Sequence, residues 1–175
     1  MSSLESRLKT AIRDVPDFPK PGILFKDITP VLAQPKLMRE LTDHLAGTFR
    51  GNGIDAVVGM ESRGFLFGMP LAMELGCAFV PARKTGKLPY ERITEEYALE
   101  YGTARLDMHV DAVSNGHRVL IVDDLIATGG TAAATARLVE RLGGVVAGFA
   151  FVIELSFLDG RKALSPYHVH SVVNY

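Results

Sequence analysis

The chain has 175 residues and one cysteine, Cys77, which excludes an intramolecular disulfide and a cysteine-rich zinc module. It also lacks an excess of either charge, since 19 Lys and Arg against 20 Asp and Glu leave a net −1 at pH 7. Such a balance gives no global electrostatic reason to bind nucleic acid or a membrane surface. No apolar run approaches the roughly 18 residues that span a bilayer. Met1 to Asp14 mixes charged and apolar residues without the apolar centre of a signal peptide. No Pro- or Ser-rich linker, low-complexity tract or internal repeat divides the chain. Two common phosphate motifs are missing as well. The Gly86-Lys87 pair continues with Leu88, where a Walker A loop needs Ser or Thr, and no Gly-x-Gly-x-x-Gly follows a strand. The expectation is a single soluble cytoplasmic domain, 1–175, whose 47% hydrophobic and 22% charged residues suit a compact core.

What is present reads as alternating helices and buried strands. Leu4, Leu8 and Ile12 recur every four residues and predict a short amphipathic helix, ended by the prolines at 16, 19 and 21. Leu37, Met38, Leu41, Leu45 and Phe49 predict a second helix from Pro35, closed by Gly51 and Gly53. Apolar strands are expected at 54–59, 78–81, 119–122 and 145–153, with helices over 65–75 and 131–142. Continuously apolar strands joined by helices imply an α/β fold whose mainly parallel sheet is covered on both faces. Arg83 to Gly102 breaks this rhythm, being polar and charged over some twenty residues, as functional loops often are. Its end, Tyr97 to Tyr101, alternates like a strand onto which Ala104 to Val110 could fold back as a hairpin.

The chemistry concentrates in Val119 to Thr131, where a buried strand meets Asp123 and Asp124, then a small-residue turn, then a helix. Ligands of open α/β sheets sit at the carboxyl ends of strands. Gly129 and Gly130 allow backbone amides to approach a ligand closely, and a helix beginning near Thr131 adds N–H donors and a positive dipole end. Thr128 and Thr131 can contribute hydroxyls. A phosphate monoester is the natural occupant. The two carboxylates then face another part of the ligand, accepting hydrogen bonds from vicinal sugar hydroxyls or holding hydrated Mg²⁺. Phosphate and diol together describe a ribose 5-phosphate.

Val119 to Thr131 resembles the phosphoribosyl pyrophosphate (PRPP) signature of the type I phosphoribosyltransferases. Four further blocks, Phe18 to Pro30, Glu61 to Phe65, Arg83 to Pro89 and Tyr97 to Gly102, resemble the adenine-accepting branch of that family, in order and with matching spacing. The resemblance implies the family's fold, with a hood and base-binding segment over about 1–34 and a flexible catalytic loop over about 83–106. It implies purine salvage, adenine and PRPP giving AMP and pyrophosphate with Mg²⁺ as cofactor, in a homodimer.

Residue by residue, the resemblance gives Ala127, Thr128, Gly129, Gly130 and Thr131 the 5-phosphate. It gives Asp123 and Asp124 the ribose hydroxyls and, through water, the metal. Glu61, Ser62 and Arg63 fall in the pyrophosphate loop, where the family often has a cis peptide, and Glu61 stands where Asp is common. Arg83 and Lys87 reach the pyrophosphate, Lys87 across a dimer interface. Phe25 stacks on the base, with backbone groups around Leu24 and Lys26 reading its edge; Arg is frequent in the family where this chain has Lys26. Glu100 and Tyr101 match the tip of the catalytic loop. Elementary chemistry supports these roles, because a departing pyrophosphate and an oxocarbenium-like sugar need cations and positioning. Glu100 is also the one carboxylate in Tyr97 to Tyr101 and so the candidate for taking adenine's proton.

Two alternatives stay open: transfer to a 6-oxopurine, and a non-catalytic regulator that senses PRPP. His168 and His170 share a strand face and read as ordinary surface or interface histidines, Cys77 as a small core residue, and Asp159-Gly160-Arg161 as a turn. Met60, Met69 and Met73 fit one apolar packing face.

Overall fold

The computed structural model describes residues 2–98 and 102–175. Helix α1, Leu4–Ala11, begins at Ser3, whose side chain accepts the Ser6 amide and so satisfies one donor that a helix start leaves open. A two-stranded antiparallel ribbon follows, β1 at Arg13–Val15 and β2 at Phe25–Asp27, then the short helix α2 at Thr29–Leu32. Helix α3, Pro35–Phe49, buries Leu37, Leu41, Leu45 and Phe49 along one face, as their spacing requires.

The main sheet has seven strands. These are β3 at Ala56–Met60, β4 at Ala78–Lys84, β5 at Arg92–Ala98, β6 at Thr103–His109, β7 at Arg118–Ile126, β8 at Val145–Glu154 and β9 at Val169–Asn174. Their order is β5-β6-β4-β3-β7-β8-β9. The sheet is mixed, with four parallel neighbour pairs from β4 to β9 and two antiparallel pairs where the β5–β6 hairpin joins β4. Helix α4, Gly64–Leu75, connects β3 to β4, and α5, Gly130–Arg141, connects β7 to β8.

Successive residues of β7 explain its unbroken apolar run. Leu120 and Val122 enter one core with α1, α3 and α4, whereas Val119 and Ile121 enter the other with α5 and the hairpin. Both faces are covered, so neither tolerates a polar side chain. Phe49, Phe149 and Phe151 are among the largest fully buried side chains, each contributing about 1.5–3 kcal/mol by leaving water.

The chain leaves β3 toward β4 on one side and leaves β7 toward β8 on the other. The carboxyl ends of β3 and β7 therefore flank the point where the winding reverses, which is where such sheets open a crevice. Among the described residues no helix is long and apolar enough to cross a membrane.

Three expectations change. The strand placed at 119–122 runs on through both aspartates to Ile126, pairing Asp123 with Phe151 and Leu125 with Ile153 of β8. Within the polar stretch from Arg83 to Gly102, the strand begins at Arg92 rather than Tyr97 and belongs to the main sheet. Met60 lies 1% exposed in the core, whereas Met69 and Met73 stand 48% and 73% exposed on α4, so the three do not share a face.

Candidate active site

Three segments converge at the reversal point. The first follows β7, where Asp123, Ala127, Thr128, Gly129, Gly130 and Thr131 line a cavity of about 100 Å³, the scale of one phosphate group. Gly129 makes the turn with φ +81, and its carbonyl accepts the Ala133 amide at 2.9 Å, opening α5 toward the cavity. The motif read from the sequence is thus contiguous in space.

The second segment runs from β3 into α4. The Glu61–Ser62 peptide is cis. Arg63 Nε lies 2.9 Å from Asp124 Oδ2, and its guanidinium sits 5.4 Å from the Phe25 ring centroid, a cation–π spacing. Phe25 also meets Phe18 edge-on at 5.1 Å. Gly64 lets this segment touch β7, because a Cβ there would stand 2.6 Å from the Val122 carbonyl oxygen and 3.1 Å from Asp123 Oδ1.

The third segment ends β4. Glu61 Oε2 accepts Arg83 Nε at 3.1 Å and the Lys84 amide at 3.0 Å, while Arg83 Nη1 donates to the Lys87 carbonyl at 3.1 Å. Glu61 therefore orients Arg83. Asp107, fully buried, accepts Thr85 Oγ1, Thr94 Oγ1 and the Gly86 amide at 2.8, 2.7 and 3.1 Å and pairs with Arg92 Nε at 3.0 Å. One carboxylate thus joins the 85–87 turn to the stem of the hairpin.

Electrostatics separate the acids into two classes. Burial, and then the charge of Asp124, push Asp123 well above the ordinary carboxylate value; burial also raises Asp124, although Arg63 opposes it. Two crowded carboxylates with raised affinity for protons form a place that gains from a cation or from hydroxyl donors. Burial would raise Asp107 too, but the Thr94 and Thr85 hydroxyls, the Gly86 amide and Arg92 hold it below the ordinary value. Arg137 and Arg141 of α5 likewise hold Glu95 of the hairpin low.

The structure thus brings together Phe25, Arg63, Asp124, Asp123 and the 127–131 turn, with Glu61 and Arg83 alongside. Ser62 and Leu24 are exposed at its edge and Lys87 is exposed on its turn. Lys26 points elsewhere, its ammonium 2.6 Å from Asp14 Oδ1 and 3.7 Å from the Tyr175 ring centroid. Glu100 and Tyr101 lie outside the described residues. Residues that the motifs did not single out also belong here. Tyr97 OH meets Thr131 Oγ1 at 3.2 Å, and Asp107, Glu95 and Gly64 hold the surrounding segments; the alternation beginning at Tyr97 and the Glu61 to Phe65 block that contains Gly64 were the available signals. A larger hollow, about 940 Å³ between α1 and α3, is lined by Arg7, Thr10, Gln34, Leu37 and Glu40 and lies away from these groups.

Residues 27–172 match the phosphoribosyl transferase domain family. The chain belongs to that family. A relative named adenine phosphoribosyltransferase from Nitrosococcus oceani is 57% identical over 97% of this chain and 99% of its own. The structure of adenine phosphoribosyltransferase from Thermoanaerobacter pseudethanolicus superposes with a TM-score of 0.96 at 53% identity, covering 99% of this chain and 100% of the other. That of the Saccharomyces cerevisiae enzyme, complexed with an imino-altritol bisphosphate and adenine, gives a TM-score of 0.92 at 45% identity over 98% and 99%. Within the family this chain falls among the adenine phosphoribosyltransferases, with their α/β fold.

Proposed function

We propose that the protein is a purine-salvage glycosyltransferase, moving the 5-phosphoribosyl group of PRPP to adenine and releasing AMP and pyrophosphate. The observation that carries this reading is the carboxylate pair beside a phosphate-sized turn at the sheet's reversal point. In the reaction, adenine N9 bonds to the sugar C1, the C1–oxygen bond to pyrophosphate breaks, and the base loses one proton.

Amides and hydroxyls of Ala127 to Thr131 hold the 5-phosphate. Asp123 and Asp124 accept the ribose hydroxyls, and this acidic, oxygen-only pair also suits Mg²⁺, which favours one or two carboxylates with water and substrate phosphates. Bound there, the metal supplies positive charge against the departing pyrophosphate. Arg63 engages Asp124 through Nε and is 43% exposed on its side chain, so its outer donors can reach the leaving group while Asp124 stays held. Arg83, aimed by Glu61, and Lys87 add positive charge, and Ser62 contributes from the same loop. Phe25 stacks on adenine while the backbone from Leu24 to Lys26 reads its edge, consistent with the Lys26 side chain being engaged elsewhere. Glu100 takes the proton, with Tyr101 beside it in the sequence, as the catalytic loop over about 83–106 excludes water from the site. Residues 1–34 act as the hood. Leu66, Met69 and Met73, 45%, 48% and 73% exposed on α4, favour a homodimer; light scattering that returned a monomer mass would remove it.

The deciding assay offers PRPP and Mg²⁺ with equal adenine, hypoxanthine, guanine and xanthine, with and without EDTA. AMP alone, lost with EDTA, is expected. A 6-oxopurine nucleotide would overturn the base pocket, and no nucleotide from folded, PRPP-binding protein would favour the regulator. Asp123→Asn with Asp124→Asn should abolish turnover in a folded chain, and Glu100→Gln should lower kcat far more than PRPP affinity. Near-normal rates in either would remove that role.

A further inference from the structure

The turn that leaves β8 backs the phosphate loop. It comprises two short 3₁₀ segments, Ser156–Leu158 and Gly160–Leu164. A Cβ on Gly160 would stand 2.3 Å from the Ala127 carbonyl oxygen, and one on Gly129 would stand 2.4 Å from the Gly160 carbonyl oxygen. The nearest atom in each case is a backbone carbonyl oxygen, with Ile126 Cγ1 and Ala163 Cβ next at 2.9 and 3.1 Å, so backbone rests on backbone here. Any displacement of Gly160 therefore passes to residues 127–129.

Arg161, the next residue, is held on three sides. Its Nε lies 2.7 and 2.9 Å from the two Glu154 carboxylate oxygens, its Nη2 2.7 Å from Glu154 Oε2, and its Nη1 donates to the Val169 carbonyl at 2.8 Å. Glu154 is 7% exposed, and its strand register places it opposite Ile126, one residue before the loop. The Leu155 amide closes the same corner on the Ile126 carbonyl at 3.0 Å. A bidentate guanidinium–carboxylate pair fixes orientation as well as distance. The pair thus bolts the turn to the ends of β8 and β9 on one side while Gly160 presses on the loop on the other.

We propose that Arg161, locked by Glu154, is a positioning residue for the 5-phosphate loop, setting the spacing of its amides through the Gly160 contact. The proposal rests on the assignment of residues 127–131 to the 5-phosphate. Hydrogen bonds of 2.7–3.2 Å leave little tolerance, so a loop shifted by a fraction of an ångström loses phosphate affinity before it loses its fold.

The test measures KM for PRPP and for adenine, ribose 5-phosphate affinity by calorimetry, and Tm. Arg161→Met should raise KM for PRPP and Kd for ribose 5-phosphate about ten-fold, since misplacement near 1 Å costs about a hundred-fold, with KM for adenine nearly unchanged. Arg161→Met with Glu154→Gln removes the carboxylate charge left unpaired, so Tm should recover while the PRPP defect persists. Recovery of both together, or equal rises in the two KM values, would make the pair merely structural and overturn the proposal. Gly160→Ala probes the contact with the ion pair intact and should reproduce the PRPP defect even where Arg161→Met fails to fold. Gly129→Ala separates the two ideas. An unchanged PRPP KM there would overturn the phosphate assignment itself. A raised one, with Arg161→Met and Gly160→Ala unchanged, would overturn only the positioning role.

Discussion

Gly64→Ala tests how closely the loop after β3, residues 61–64, must approach the carboxylates. The new methyl would stand 2.6 Å from the Val122 carbonyl oxygen, 3.1 Å from Asp123 Oδ1 and 3.3 Å from Asp123 Cα. Two of these neighbours are backbone of the central strand β7, which is buried on both sides and cannot yield. The first turn of α4 must retreat instead, by roughly 0.7 Å to restore a carbon–oxygen contact near 3.3 Å. Arg63 retreats with it and draws away from Asp124. Overpacking of this kind costs about 1–3 kcal/mol, and at about 2–4 °C per kcal/mol for a domain of this size Tm should fall by some 2–12 °C. The activity loss should be larger than stability alone predicts, about 10- to 100-fold in kcat/KM, because positional errors approaching 1 Å cost two orders of magnitude. Gly68→Ala is the matched control. Its methyl would meet the Phe79 ring at 2.8 Å, one helical turn further on, and should lower Tm with kcat/KM within about three-fold of the parent, as an overpacked core away from the chemistry does. Steady-state kinetics beside calorimetry decide the matter. Equal activity losses in both variants, or a Gly64→Ala enzyme at full rate, would refute the idea that this approach sets the geometry of Arg63 and Asp124.

Asp107→Asn keeps the shape but releases Arg92 and weakens the Thr85 and Thr94 bonds; it should cost about 1–3 kcal/mol in urea unfolding and raise KM for PRPP through the 85–87 turn, and an unaltered KM would confine Asp107 to stability. Glu95 and Glu154 are held below their ordinary 4.5, each chiefly by its arginine hydrogen bond, so they stabilise the fold above that value and the contribution fades as pH falls beneath it through the folded-state values. Unfolding free energy should therefore drop below about pH 4.5, less steeply in Glu154→Gln; identical slopes would refute the assignment. His170 is depressed from 6.5 by burial and by His44, His168 and Arg161, so its neutral form is favoured on folding and stability should decline as pH falls below about 6.5; His170→Phe should flatten that region, and a parent protein already flat there would contradict the sign.

The sequence discloses what lies close along the chain and hides what is paired across it. Helix α3 was legible because Leu37, Leu41, Leu45 and Phe49 all face one core, and the 123–131 motif because its atoms are contiguous. Strand β7 was read too short because Asp123 and Asp124 end the apolar run although the backbone ladder continues beside β8. The start of β5 was concealed by Glu95, which faces inward between Ile93 and Tyr97 yet is a charge; its partners Arg137 and Arg141 lie more than forty residues away. His44 and His170 approach to 3.1 Å from positions 126 apart, a contact that nothing in the sequence around His168 and His170 discloses. Nothing in Lys26 as a letter says that it turns to Asp14 and Tyr175 rather than toward the base.

The arginine pairs around the site share one asymmetry that bears on how it meets a polyanion. Asp124, Glu61, Asp107, Glu95 and Glu154 are 3%, 14%, 0%, 17% and 10% exposed on their side chains, whereas Arg63, Arg83, Arg92, Arg137 and Arg161 are 43%, 33%, 40%, 46% and 47% exposed. In each pair the acid is anchored in the protein, and the arginine approaches it with Nε. A guanidinium has five N–H donors, so one edge held by a fixed carboxylate aims the rest of the fork. Free arginines would lose side-chain freedom when an anion bound, at a cost of about 1.5–2 kcal/mol each; arginines already aimed lose less. The acids among the cations therefore do not simply cancel the attraction for phosphate. In the proposed function they hold Arg63 and Arg83 in orientations that an arriving pyrophosphate would otherwise have to impose, so a chain of net charge −1 would present a prearranged cationic site.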